Sequence, residues 1–184
     1  LTSRECSMRK VVLTFGLLGG AVMSAVQLGS LPFTDEIGDK GVLLGYTAMV
    51  MAFLMVYFGV RSYRDQVLGG HITFGRALLV GGLISLVASA CYVATWEFIY
   101  FQLGYGAEFT AQYTRMTLDR LRESGASEAK LAATAQEMAV FATKYDRPLY
   151  NAMITLLEPL PVGLLFTVAS AVLLRGVARR PATP

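Results

Sequence analysis

Leu149-Tyr150-Asn151-Ala152-Met153-Ile154-Thr155-Leu156-Leu157-Glu158-Pro159-Leu160-Pro161-Val162-Gly163-Leu164-Leu165-Phe166 is the stretch that decides the fold. With its continuation to Leu174 it is long and apolar enough to cross a bilayer, which takes about 20 such residues. Glu158 is the exception in it. A carboxylate at that depth is costly and rarely accidental. Two prolines follow, inside what should be a helix. Asn151, Thr155 and Glu158 are spaced i, i+4, i+7, so an unbroken helix would set them on one stripe. Pro159 and Pro161 each remove a backbone donor, and their rings crowd the carbonyls of Thr155 and Leu157. Side-chain oxygens and freed carbonyls together would suit a proton or a hard cation, as in transporters with broken helices.

The rest of the chain has the same character. Of 184 residues, 54% are hydrophobic and 16% charged, against about 25% charged for a soluble domain. The mean hydropathy is +0.51. Four segments qualify as spans: 11–31, 41–60, 74–103 and 149–174. Residues 1–7 read as an upstream tail, and 8–180 as one membrane domain. The expected fold class is an all-α membrane protein, a four-transmembrane-helix bundle with an extracytoplasmic helical hairpin between helices 3 and 4.

Lysine and arginine set the direction. With the N-terminus inside, the inner side collects Arg4, Arg9, Lys10, Arg61, Arg64, Arg76, Arg175, Arg179 and Arg180. The short outer loop holds Asp35, Glu36 and Asp39 against Lys40, and the long outer loop is balanced. Both termini are therefore expected in the cytoplasm of a multi-pass inner-membrane protein. The net charge of +3 marks sidedness and gives no ground for nucleic-acid binding. The inner basic loop (Arg61, Arg64, Arg76) is read first as a topology determinant and second as a contact for anionic lipid. Trp96, Tyr100, Phe101 and Tyr105, with Tyr145 and Tyr150 opposite, are expected at the outer headgroup level.

Small residues recur every fourth position: Gly16, Gly20 and Ser24; Gly81, Ser85 and Ser89; Gly163, Thr167 and Ala171. Such stripes let membrane helices approach closely. Packing within the chain is their first reading and a homodimer or another membrane-protein partner the second. Residues 105–147 read as two amphipathic helices broken at Ser124-Gly125, with Ser127 capping the second. A hairpin of this kind could lie over the mouth of the bundle. Thr73 is a candidate cap for the third span.

Glu97, after Trp96, is the second intramembrane acid. It lies six residues in from Leu103, about 9 Å at the helical rise, close to the depth of Glu158. Two neighbouring carboxylates in low dielectric do not both ionise readily; one holds a proton, or a cation sits between them. The expected polar site is thus Glu97, Asn151, Thr155 and Glu158, with Pro159 and Pro161 as the helix break. A protonated glutamate fastening two helices explains the same residues structurally. Catalytic and metal sites are expected to be absent: there is no nucleophile with a base, no HExxH, and no phosphate loop around Gly69-Gly70. Cys6 and Cys91 are not expected to pair, and His71 is read as a solvated loop residue. No cofactor is implied.

Four runs carry a resemblance: Phe58-Gly59-Val60-Arg61-Ser62-Tyr63-Arg64-Asp65, Gly69-Gly70-His71-Ile72-Thr73-Phe74-Gly75-Arg76-Ala77, Tyr92-Val93-Ala94-Thr95-Trp96-Glu97, and Glu158-Pro159-Leu160-Pro161-Val162-Gly163-Leu164. From Met8 to about Arg175 the chain resembles the uncharacterised bacterial membrane family called domain of unknown function 4199. The resemblance implies a four-span inner-membrane protein and adds no mechanism. Two functions therefore stand: proton or cation handling at the intramembrane carboxylates, and a non-enzymatic scaffold or accessory subunit in which they are structural.

Overall fold

The computed structural model describes residues 3–33 and 40–176, with side chains from residue 7 onward. The acidic loop expected on the outer side (Asp35, Glu36, Asp39), the tail side chains including Arg4 and Cys6, and Arg179 and Arg180 lie outside the described residues. Among the described residues there are seven α-helices and no strand. They are α1 (Ser3–Ser30), α2 (Lys40–Val67), α3 (Phe74–Glu97), α4 (Gly106–Glu123), α5 (Glu128–Tyr145), α6 (Pro148–Leu157) and α7 (Pro159–Leu174). A 3-10 turn, Leu31–Phe33, extends α1, and a π-helical turn, Phe98–Gln102, extends α3.

Three helical segments are long and apolar enough to cross a membrane: Ser7–Phe33, Lys40–Val67 and Phe74–Gln102. A fourth span results if α6 and α7, bent by 40° at Glu158, count as one. The second helix overruns the apolar segment by two turns because Arg61 to Val67 are good or tolerable helix formers with no breaker before Gly69.

The described residues cluster into two compact units, 1–93 with 156–184 and 94–155. In the first, α2 packs on α1 and on α7. Its core is Met23, Phe53, Val56, Val60, Tyr63, Val80 and Ile84, each at most 1% exposed. The small-residue stripes are used here. A Cβ on Gly16 would stand 2.6 Å from Cβ of Val87, and one on Gly20 2.5 Å from Cβ of Cys91. No side chain fits at either distance, so α1 and the first part of α3 touch almost backbone to backbone. The α3 and α7 stripes meet through Ser85, whose Oγ donates to the Gly163 carbonyl (3.3 Å) and pairs with Thr167 Oγ1 (3.0 Å). Association by close backbone approach and hydroxyl bonds suits helices in lipid, where apolar surface gains little by meeting apolar surface.

The second unit contains the antiparallel pair α4 and α5. Gly125, at φ +77°, closes α4: its N–H reaches the Arg122 carbonyl, and that of Ala126 reaches Leu121. This is the Schellman pattern, which requires the left-handed conformation that glycine adopts without strain. Ser127 Oγ then accepts the Lys130 N–H and starts α5, as its position predicts. Thr73 acts likewise on α3, accepting the Arg76 N–H at 3.4 Å.

Candidate functional site

Glu158 is the hinge residue between α6 and α7. Pro159 takes the first helical position of α7, where a missing N–H costs nothing and φ is already helical. Glu158 itself stays in the right-handed helical region (φ −71°, ψ −55°), so the chain bends without unwinding. Its side chain is exposed. The Tyr92 hydroxyl on α3 donates to Glu158 Oε2 at 2.6 Å. That distance is typical of a hydroxyl on a carboxylate, the stronger class of hydrogen bond. Around Glu158 the outward side chains are apolar: Leu157, Leu164 and Leu165 are 61%, 65% and 66% exposed.

Asn151 and Thr155 sit differently. Both are buried, Asn151 completely. Thr155 Oγ1 donates to Asn151 Oδ1 (3.2 Å) and pairs with the Tyr145 hydroxyl (3.2 Å). Asn151 Nδ2 donates to the Tyr145 carbonyl (3.2 Å). The Tyr145 hydroxyl also accepts from Trp96 Nε1 at 3.0 Å. One tyrosine thus gathers an indole, a threonine and an asparagine. The stripe expected from the spacing divides: its buried members bond to Tyr145, and the exposed one lies past the end of α6.

Four of the rings expected at the outer headgroup level, Trp96, Tyr100, Phe101 and Tyr145, pack in one aromatic cluster. Tyr145 meets Tyr100 edge-on (centroids 5.3 Å apart) and stacks on Phe141 (5.1 Å), while Phe109 meets Trp96 edge-on (4.8 Å). Tyr100 and Tyr145 are only 4% and 5% exposed. The Tyr100 hydroxyl donates to Asp146 Oδ1 at 2.6 Å. Edge and offset contacts match the quadrupoles of the rings, and each tyrosine hydroxyl has a partner, as buried tyrosines require.

Glu97 belongs to this second unit, at the last turn of α3 before the π-helical turn. Its Oε1 is buried and accepts no hydrogen bond from any described residue. Such an acceptor costs about 1–3 kcal/mol if nothing satisfies it, so it is an oxygen suited to a donor, a proton or a cation. Among the described residues no group of three or more His, Cys, Asp or Glu side chains could hold a metal ion.

In the first unit Arg61, Arg64 and Arg76 are locally paired. Asp65 receives Arg64 at 2.6 Å and Arg61 at 3.6 Å. Arg76 Nη2 donates to the buried Tyr63 hydroxyl at 3.0 Å, with its guanidinium 6.0 Å from that ring's centroid. Arg76 therefore braces the turn between α2 and α3. Exposed pairs of this kind contribute about 0–1 kcal/mol.

Tyr92 is the site residue the sequence reading missed, and a signal for it existed. The α3 stripe of Gly81, Ser85 and Ser89 faces α7, with Ser85 opposite Gly163 and Thr167. Carried one turn on, an antiparallel register places Tyr92 opposite Glu158. Tyr145 and Phe141 offered a weaker signal, since amphipathic periodicity marks a face and not its partners.

All-helical, with three or four membrane-length segments and a polar group at a proline break, the fold defines a class of small multi-pass membrane protein. Residues 14–176 match the family described as "Protein of unknown function (DUF4199)", and the chain belongs to that family. No curated protein and no solved structure matches it.

Proposed function

We propose that this chain is a four-span inner-membrane protein that takes up and releases a proton at Glu158, coupled to the movement of a small solute or ion. Both termini face the cytoplasm in this reading, and the α4–α5 hairpin faces outward. The observation that carries it is the Tyr92–Glu158 bond at the proline bend. One carboxylate with one tyrosine hydroxyl is a proton site in kind, whereas a hard cation seeks six or more oxygens. Glu97, with its unsatisfied oxygen in the second unit, is a separate candidate acid. No enzymatic step is invoked. The test is flux in proteoliposomes, with Glu158→Gln and Glu97→Gln beside the wild type. Abolished flux in Glu158→Gln is expected, and wild-type flux in both variants rejects the reading.

A second reading is a non-enzymatic accessory subunit of a membrane complex. The exposed leucines that frame Glu158 favour it, because a polar group inside an apolar outward face is what a neighbouring helix recognises. Purification in mild detergent with crosslinking tests it. Recovery of monomer alone removes it.

A further inference from the structure

The apolar spans of this chain contain two charged side chains, Glu97 and Glu158, both acidic, and no lysine or arginine between residues 11–31, 41–60, 77–103 or 149–174. Glu158 is the one that is exposed. Among the described residues its carboxylate receives the Tyr92 hydroxyl on Oε2, and the exposed side chains near it along the chain, Leu157, Leu164 and Leu165, are apolar. Lipid chains offer this face no hydrogen bond and no countercharge. An acid held at bilayer depth by one hydroxyl is complementary to a base at the same depth on another helix. The exposed leucines near it supply the apolar contact that flanks a polar pair.

We infer that the Glu158 face of α7 docks a transmembrane helix of another protein carrying a lysine or arginine near mid-bilayer. The inference rests on and deepens the reading of Glu158 as the working group of the site: docking of a basic helix would set a positive charge against its carboxylate. A basic partner is favoured over a second copy of this chain because the bases of this chain's own spans, Arg9, Lys10, Lys40, Arg61, Arg64 and Arg76, stand at the span ends and not in their middles.

The probe is a synthetic polyleucine helix with one central lysine, compared with the same helix bearing leucine there. The full chain, fluorescently labelled, is placed with each in phosphatidylcholine vesicles and association is read by energy transfer. The lysine helix is expected to associate about three- to fifteen-fold better, the range that polar contacts between membrane helices span. Glu158→Gln removes the preference and Glu97→Gln keeps it. Equal association of the two helices overturns the inference, as does a preference that survives Glu158→Gln or disappears in Glu97→Gln. Self-association that excludes the lysine helix assigns the face to a second copy and overturns it too. Should Glu158→Gln fail to assemble, Leu165→Trp carries the test. It crowds the same face, and unchanged association of the lysine helix then rejects docking there.

Labelling of Glu158 by a membrane-soluble carbodiimide, which attacks the protonated carboxyl, is measured in parallel without any helix. Labelling without a lysine preference rejects docking and leaves the proton reading intact. A lysine preference without labelling at any pH leaves docking intact and rejects the proton reading.

Discussion

The two units of this protein solve the same problem with opposite chemistry. In the first, helices meet through what has been removed: glycines at 16 and 20 let α1 lie against Val87 and Cys91. In the second, the side chains that matter are large and polar at one end. Tyr145, Tyr100 and Trp96 fill space with rings and spend every ring-borne donor on a named acceptor. Close backbone approach leaves no tolerance for added atoms. A ring cluster tolerates changes in shape and is sensitive to the loss of one hydroxyl. The contrast fits the chain between them: the first unit's contacts lie within long apolar helices, and the second unit includes the charged hairpin, whose polar composition suits water.

The sharpest way to break that contrast is to add atoms where the first unit has none. Gly20→Val places carbon on Cys91 and is expected to cost about 2–3 kcal/mol or to prevent assembly, by analogy with overpacked cores. Thermal unfolding in detergent micelles reads it, and a wild-type midpoint would mean that the helices are not packed this closely. Next comes the hub of the second unit. Tyr145→Phe keeps the ring and removes the oxygen shared by Trp96 and Thr155. A loss of about 1–2 kcal/mol is expected, together with a shift in Trp96 fluorescence, because the half-buried Trp96 N–H is left without its acceptor. An unchanged emission spectrum would sever Trp96 from Tyr145. The smallest effect on stability is predicted for Tyr92→Phe, below about 1 kcal/mol, since polar contacts between membrane helices average about 0.6. Its effect on proton flux should nevertheless exceed that of Tyr145→Phe. Equal flux in the two variants would place the working site elsewhere.

Helix positions were legible because hydropathy and breakers are local properties. The hairpin break at Ser124-Gly125, the caps Ser127 and Thr73, and the interruption at Pro159 all follow from residues within a turn of one another. The polar site was legible only as a set of residue types. Its partners lie far apart in the chain: Tyr92 and Glu158 are separated by 66 positions and Trp96 and Tyr145 by 49. The stripe of Asn151, Thr155 and Glu158 assumed one helical phase, and the bend ends that phase at Leu157.

A helix that starts inside hydrocarbon ordinarily presents bare N–H groups to a medium that cannot accept them. In α7, Pro159 and Pro161 have none to present. Ring closure has done in advance what water or a side-chain cap does elsewhere. Two of the four N–H groups of the first turn are thereby absent, and only those of Leu160 and Val162 are left to be met. Glu158 is accordingly carried at a bend that needs fewer partners than an ordinary helix start.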